Sequence, residues 1–508
     1  MQAYLQGLLY ILIVSSAFFA FANRPAAAIM GRDHFTRRRN LWFGLTLAGF
    51  LAFNFWIYVF IALICLFYVK RSETNLPALF FFIQFVIPVA TSRIYGGGVI
   101  NFLFDLSHAR LLALVILLPA YLFLIRQSDT PRIGRVGSDK LLVAYIFLTA
   151  IVYLRETTLS DTLRETFYLF IDVFLPYFVI SRSLKNMQAF KDALLSLVIA
   201  IMVLVPIAFI EFVKDWLFYQ PLLDMLGLEG GMTRYLGRDG MLRVVATAGH
   251  PLALGYLMVV GVGFYLFLRI SVPQKNIRRL GMALLIIGLI FPVSRGPWIG
   301  ACVLFIVFNA TGRNPARRLI GLALAGMLAL LLLSTLPGGE RVINLLPFIG
   351  KTEKSNVDYR ENLLTNSMIV IQRNLWFGSV NYLEEPEMVA LYEGGIIDVV
   401  NTYIAIALEK GIIGLGLFVG FFALVLIGVN RAMRLIADRE SEEYLLGRVI
   451  LSTLLAILVI IFTTSSITII PLVYWSVAGL GVAYAQMVRK QPESNAQATN
   501  IISKYSLR

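Results

Sequence analysis

Long apolar runs separated by short polar segments fill the chain from about residue 4 to about residue 487. A transmembrane helix needs about 20 apolar residues, and fewer when polar side chains at its ends reach the interface. The pattern predicts an all-α polytopic membrane protein with about 14–15 transmembrane helices. The predicted spans are 4–22, 41–54, 55–69, 76–90, 111–125, 141–154, 166–180, 193–212, 251–270, 280–293, 297–309, 319–336, 411–429, 450–464 and 467–487. Residues 41–69 are ambiguous, being too long for one span and short for two.

Basic residues lie in clusters between the apolar runs, the distribution that the positive-inside rule describes. Examples are Arg37, Arg38 and Arg39, and later Arg431 and Arg434. All the clusters share the cytoplasmic side if residues 41–69 turn back on themselves. The N-terminus then lies in the periplasm and the C-terminus in the cytoplasm.

Composition excludes several other classes of protein. The chain is 58% hydrophobic and 15% charged, whereas charged residues make up roughly a quarter of a soluble protein. The net charge of +14 follows the orientation clusters rather than a nucleic-acid patch. Two cysteines and three histidines predict neither a disulfide framework nor a metal site.

The predicted organisation has five parts. Residues 1–40 form an anchor helix and a basic cytoplasmic loop, and residues 41–336 form a transmembrane core. Residues 337–410 form a large periplasmic loop that ends in an interfacial helix beginning near Ile396. Residues 411–490 form the C-terminal spans, and residues 491–508 form a disordered cytoplasmic tail.

Three arginines stand at the predicted outer ends of spans, where the positive-inside rule should deplete them. They are Arg243, Arg295 in a Ser-Arg-Gly turn, and Arg360 in the large loop. Guanidinium groups bind phosphate oxygens bidentately, so three that converge would suit a pyrophosphate. The alternative is interfacial snorkelling or salt bridges to acids such as Asp239 and Glu361.

Asp398 and Asn401 lie where the outer loop meets the membrane, three residues apart, so a helix would place them on one face. A carboxylate there suits a general base with a pKa raised by burial. The alternative is that Asp398 caps the helix.

Further charged residues leave two interpretations open. Asp172 lies inside an apolar run, so it is either a coupling site in a transporter or the partner of a buried polar group. Asp105, His108 and Arg110 form an outer patch that we interpret as ordinary loop polarity.

Four motifs, in this order, resemble the O-antigen ligase and Wzy-type polysaccharide polymerase family. They are Arg243 with Gly249-His250-Pro251, Ser294-Arg295-Gly296, Tyr359-Arg360 with Asn374-Leu-Trp-Phe-Gly378, and Asn401-Thr-Tyr403 with Glu409-Lys-Gly411-Ile-Ile-Gly414.

The resemblance implies a bacterial inner-membrane glycosyltransferase of GT-C-like architecture that inverts the anomeric carbon without a metal or other cofactor. Its partners would be a glycan donor on undecaprenyl pyrophosphate, a glycan acceptor, the lipid bilayer and other polysaccharide assembly proteins, with no nucleic acid. Arg243, Arg295 and Arg360 would bind the pyrophosphate, and Asp398 with Asn401 would act on the acceptor hydroxyl.

Val400 occupies the position of the ligase histidine. This departure favours a polymerase of exopolysaccharide or O-antigen over a ligase that transfers glycan to lipid A-core, with Asp398 as the nearest base and Glu393 as the next upstream. A transporter of polysaccharide or lipid-linked oligosaccharide would need internal symmetry. A membrane scaffold would leave the outer arginines unexplained.

Overall fold

The protein is described by a computed structural model that covers residues 3–97, 102–228, 236–238, 240–335, 340, 343–344, 346, 354–392, 396–467 and 469–505. In these ranges, eight helices are long and apolar enough to cross a membrane, and three shorter apolar helices accompany them. The fold is that of an all-α polytopic membrane protein, as predicted. The long helices are fewer than the predicted spans because some apolar runs fold as short helices. The run that begins at residue 76, for example, is α-helical only as far as Ile83.

The first half of the chain contains twelve α-helices among the described residues, and several of them are short. They are α1 (Ala3–Met30), α2 (Arg32–Leu51), α3 (Phe55–Lys70), α4 (Leu76–Ile83), α5 (His108–Leu112), α6 (Leu118–Leu124), α7 (Gly137–Glu156), α8 (Leu159–Leu169), α9 (Leu175–Ser183), α10 (Met187–Met202), α11 (Leu204–Lys214) and α12 (Gln220–Leu226). Two π-helical turns, Ala113–Leu117 and Phe170–Phe174, join α5 to α6 and α8 to α9.

The described part of the second half adds nine α-helices. They are α13 (Pro251–Leu268), α14 (Lys275–Gly288), α15 (Arg295–Ala310), α16 (Pro315–Thr335), α17 (Lys354–Arg373), α18 (Pro386–Val389), α19 (Thr402–Arg434), α20 (Glu442–Phe462) and α21 (Ile470–Tyr505). Short 3-10 turns cover Arg269–Ser271 and Tyr382–Glu384. The backbone of α21 continues beyond residue 490 into most of the stretch predicted to be a disordered tail.

Two small antiparallel hairpins interrupt the helices. Strands β1 (Thr91–Tyr95) and β2 (Phe102–Ser107) pair with Thr91 opposite Ser107. Strands β3 (Gly237–Arg238) and β4 (Met241–Leu242) form the second hairpin, directly before Arg243.

The ambiguous stretch 41–69 is two helices that pack against each other, α2 and α3. The chain reverses at Phe53, whose φ of 52° is left-handed. Asn54 then caps α3, its side-chain oxygen accepting a hydrogen bond from the Trp56 amide at 2.8 Å. A polar cap between two apolar runs is therefore the local cause of the turn.

Helix α13 lies at the centre of the helical core. Nearly all of its side chains are buried, and it packs against α10, α14, α15 and α20. A helix that is apolar on every side can lie in lipid or among other helices, and α13 lies among other helices. Arg243 lies in the loop before α13 and Arg295 is the first residue of α15, so both arginines are held at one end of this core.

Candidate functional site

Arg243 reaches the turn that precedes Arg295. Its Nη2 donates to the Ser294 hydroxyl at 3.0 Å, and its Nε donates to the Pro292 carbonyl at 3.3 Å. The Ser294 hydroxyl in turn donates to the same Pro292 carbonyl at 2.9 Å. Two of the three predicted anion-binding arginines therefore come from adjoining loops.

Both of these loops contain strained backbone. Val293 and Ala246 each have a φ of 47°, in the left-handed region that branched and other non-glycine residues avoid. Such a conformation costs about 1–3 kcal/mol and persists only where the surroundings enforce it. Strain of this kind clusters at functional sites, which makes these loops candidates.

A buried carboxylate holds the Arg243 loop in that conformation. Glu211, fully buried in α11, accepts hydrogen bonds from the backbone amides of Ala246 at 2.9 Å and Val245 at 3.4 Å. Its other oxygen accepts from the Phe218 amide at 3.1 Å. The loop is thus fixed to the end of a helix.

His250 ends the same loop and starts α13. Its Nδ1 accepts a hydrogen bond from the Leu252 amide at 3.2 Å, so His250 is the N-cap and Pro251 the first helical residue. Burial, with the positive charge of Arg243 as a second cause, lowers the pKa of His250 to about 4. The imidazole is therefore neutral at pH 7 and able to accept this bond.

The connection between α20 and α21 contains four consecutive hydroxyl residues, Thr463, Thr464, Ser465 and Ser466, which we call the hydroxyl turn. Arg360 in α17 donates from Nη2 to the Thr463 carbonyl at 3.5 Å. Gly296, next to Arg295, packs on the same residue, since a Cβ at Gly296 would stand 2.7 Å from the Thr463 hydroxyl. The hydroxyl turn therefore links Arg360 with the Arg295 turn.

Asp398 also contacts the hydroxyl turn. Its Oδ1 accepts a hydrogen bond from the Ser465 hydroxyl at 2.8 Å, and Oδ2 makes no hydrogen bond within the described residues. The Tyr359 hydroxyl bridges the Asp398 backbone, 3.0 Å from its carbonyl and 3.1 Å from its amide. A half-buried carboxylate with one unoccupied oxygen has the geometry of a proton acceptor.

Asp398 and Arg360 also influence each other electrostatically. Partial burial lowers the pKa of the Arg360 guanidinium, while the negative charge of Asp398 acts to raise it. Tyr359, which precedes Arg360 in α17, bonds to the Asp398 backbone and so holds α17 beside the segment that carries Asp398.

The predicted sharing of a helix face by Asp398 and Asn401 is wrong. Helix α19 begins at Thr402 rather than near Ile396, and Asn401 is its N-cap. The Asn401 side-chain oxygen accepts from the amides of Tyr403 at 2.9 Å and Ile404 at 3.2 Å. Asp398 therefore lies in the non-helical segment before the helix, and the capping role considered for it belongs to Asn401. Sequence spacing alone did not reveal which residue would take the cap.

Helix α19 is broken at Gly411, where the backbone has a φ of 63° and a ψ of −172°. The segment after α17 docks on this break, with the Ile412 amide donating to the Leu375 carbonyl and the Ser379 amide to the Leu408 carbonyl, both at 2.9 Å. A Cβ at Gly378 would stand 2.5 Å from the Leu408 oxygen, and one at Gly411 would stand 2.3 Å from the Trp376 oxygen. The two glycines permit backbone to lie directly on backbone, which joins the large loop to the short helix at 402–410.

Asp172 has a partner in the structure. Arg110 binds it through Nη2 at 2.9 Å and Nε at 3.0 Å, and the guanidinium also lies 3.6 Å from the Tyr168 ring centre. His108 is buried, with Nδ1 2.6 Å from the Tyr58 hydroxyl. The interpretation of His108 and Arg110 as ordinary loop polarity is therefore wrong.

Some site residues escaped the sequence analysis. The hydroxyl turn contacts Arg360 and Asp398, and Glu211 binds the loop that carries Arg243. Only the hydroxyl turn has a local signal in the sequence, four successive hydroxyl side chains between two apolar runs. Of the acids considered as salt-bridge partners or bases, Asp239 and Glu393 lie outside the described residues. In the described ranges, no group of three or more His, Cys, Asp or Glu side chains is arranged to hold a metal.

Comparison with known proteins adds one match. Residues 280–419 match the sequence profile of the family described as O-antigen ligase. The matched region contains Arg295, Arg360, Asp398 and Asn401 and ends before the hydroxyl turn. The match confirms the resemblance to the O-antigen ligase and Wzy-type family, and it supports a function of the ligase or polymerase type. A search of curated proteins found no match to the chain.

Proposed function

We propose, on the premise that residues 280–419 belong to the O-antigen ligase family, that the chain polymerises a bacterial surface polysaccharide. It transfers a glycan from undecaprenyl pyrophosphate to an acceptor sugar at the periplasmic face of the inner membrane. The observation that carries the proposal is the meeting of Arg360, Asp398 and the Arg295 turn at one hydroxyl turn.

The arginines supply the leaving-group side of the reaction. As the bond between the anomeric carbon and the pyrophosphate oxygen breaks, negative charge grows on the pyrophosphate. Fixed guanidinium groups of Arg243, Arg295 and Arg360 stabilise that charge more in the transition state than in the ground state. They need no metal for this role.

Asp398 supplies the acceptor side. An acceptor hydroxyl attacks the anomeric carbon from the face opposite the pyrophosphate, and its proton passes to Oδ2 of Asp398, the oxygen not used by Ser465. The new glycosidic bond then has inverted stereochemistry. Asn401 positions this region by fixing where α19 begins.

A ligase that transfers glycan to lipid A-core is the second candidate, favoured by the family description. Val400 stands where the ligase histidine is expected, which favours the polymerase. A transporter is not favoured, since Asp172, its best candidate coupling residue, is paired with Arg110.

Deletion of the gene followed by analysis of surface and lipid-linked glycans separates the candidates. Loss of a polymerase leaves single repeat units and no long chains on any carrier. Loss of a ligase leaves long chains on undecaprenyl pyrophosphate and none on lipid A-core. An unchanged glycan profile in both pools would contradict both enzymes.

A further inference from the structure

A cleft of about 470 Å³ lies between the start of α7, the end of α19 and the part of α21 near residue 490. Its lining includes four cations, Arg135, Arg431, Arg489 and Lys490, and no Asp or Glu. These side chains make no ion pair with a carboxylate among the residues whose side chains the structure describes. By comparison, a larger cleft of about 710 Å³ has Asp192 in its lining, and Asp192 pairs with Arg38.

Helix α7 begins in the same lining. Its N-cap residue, Val136, makes no side-chain hydrogen bond to the first amides of the helix. The positive end of a helix dipole favours a negative charge, as the four cations do.

The cations stand at one end of an apolar wall. Leu424 and Ile427 of α19 line the cleft and are 40% and 44% exposed. An anion without an apolar part would leave these side chains exposed, whereas the acyl chain of a lipid would cover them. Basic clefts between transmembrane helices are suited to phospholipid head groups.

We propose that this cleft binds the phosphate head group of an anionic phospholipid, with an acyl chain against α19. The site is separate from the arginines and Asp398 of the proposed reaction, and it does not depend on that function. The positive-inside pattern predicts that it faces the cytoplasmic leaflet.

The test is native mass spectrometry of the full-length protein in detergent, titrated with phosphatidylglycerol or phosphatidylcholine. We expect preferential binding of phosphatidylglycerol. The Arg431→Gln/Arg489→Gln variant should bind it roughly thirtyfold more weakly, since each cation near a head group contributes about fivefold. Arg135→Gln/Lys490→Gln is a second, independent pair with the same expected effect.

Lys275→Gln/Arg279→Gln is the matched control, because it removes two exposed cations outside the cleft lining. It should bind phosphatidylglycerol as the wild type does. Equal binding by wild type, both cleft variants and the control would overturn the proposal. So would displacement of the lipid by an equal concentration of inorganic phosphate, because a simple anion site would then suffice.

Discussion

The Ser465 hydroxyl donates a 2.8 Å hydrogen bond to Oδ1 of Asp398 and leaves Oδ2 without a partner in the described residues. We predict that Asp398→Asn folds normally and loses activity by roughly 10²–10⁴-fold, because asparagine can accept the Ser465 bond but not the acceptor's proton. Polymer yield at matched protein level measures this. Near-normal polymer would remove Asp398 as the base and direct attention to Glu393.

Substitutions of Asn401 should affect the stability of the protein, because its side chain caps α19. Asn401→Asp keeps an oxygen that can accept from the Tyr403 and Ile404 amides, so we expect little change in thermal stability. Asn401→Ala should destabilise the protein by about 1 kcal/mol through loss of the cap. Equal melting temperatures for the wild type and the Asn401→Ala variant would show that the cap is dispensable.

At the outer arginines, polymer synthesis should depend on the bidentate hydrogen bonding of the guanidinium group as well as on its charge. We predict that Arg360→Ala lowers polymer synthesis roughly a hundredfold, and that Arg360→Lys also impairs it. The same holds for Arg243 and Arg295. Arg373→Ala is the control, since Arg373 is an exposed residue of the same helix that pairs with Glu385 and Glu387, and it should be nearly silent. Wild-type polymer yield in a triple arginine-to-alanine variant would argue against pyrophosphate binding.

The close packing of Gly378 on the backbone of α19, next to the break at Gly411, gives a prediction about stability; we call this contact the interlock. Gly378→Ala should destabilise the protein by about 2–5 kcal/mol, since the residue is left-handed and its Cβ would meet Leu408 and Glu409. Gly416→Ala, in α19 and with open space at the Cβ, should change stability by about 0.5 kcal/mol or less. Thermal unfolding of the two purified variants compares them directly, and similar melting temperatures would refute the interlock.

Orientation can be tested by cysteine labelling in intact spheroplasts with an impermeant reagent. In a background with Cys65 and Cys302 replaced, we expect labelling at Glu361→Cys and none at Arg434→Cys. Both positions are exposed, so accessibility within the fold does not bias the comparison. The reverse pattern would place the large loop in the cytoplasm and exclude a periplasmic reaction.

The sequence predicted the class of fold because long runs of apolar residues can be recognised along the chain without knowing how it folds. It also suggested, from motif order and loop position, that Arg243, Arg295 and Arg360 converge on a pyrophosphate, which stays a prediction. It did not predict that Asp398 contacts Ser465, 67 residues away, because a hydroxyl between two spans has no periodic signal. The start of α19 was misplaced for a local reason, as Asp398 and Asn401 are both good caps and only the folded backbone shows which one is used.

The left-handed Val293 and Ala246 have a consequence for the heat of ligand binding. Both residues flank arginines, and Glu211 and Arg243 already hold these loops in the folded protein. An anion that enters this site meets loops that do not have to become ordered, so its association should lack the large negative heat-capacity change of coupled folding. Calorimetry over a range of temperatures should therefore give an enthalpy for pyrophosphate that is nearly constant.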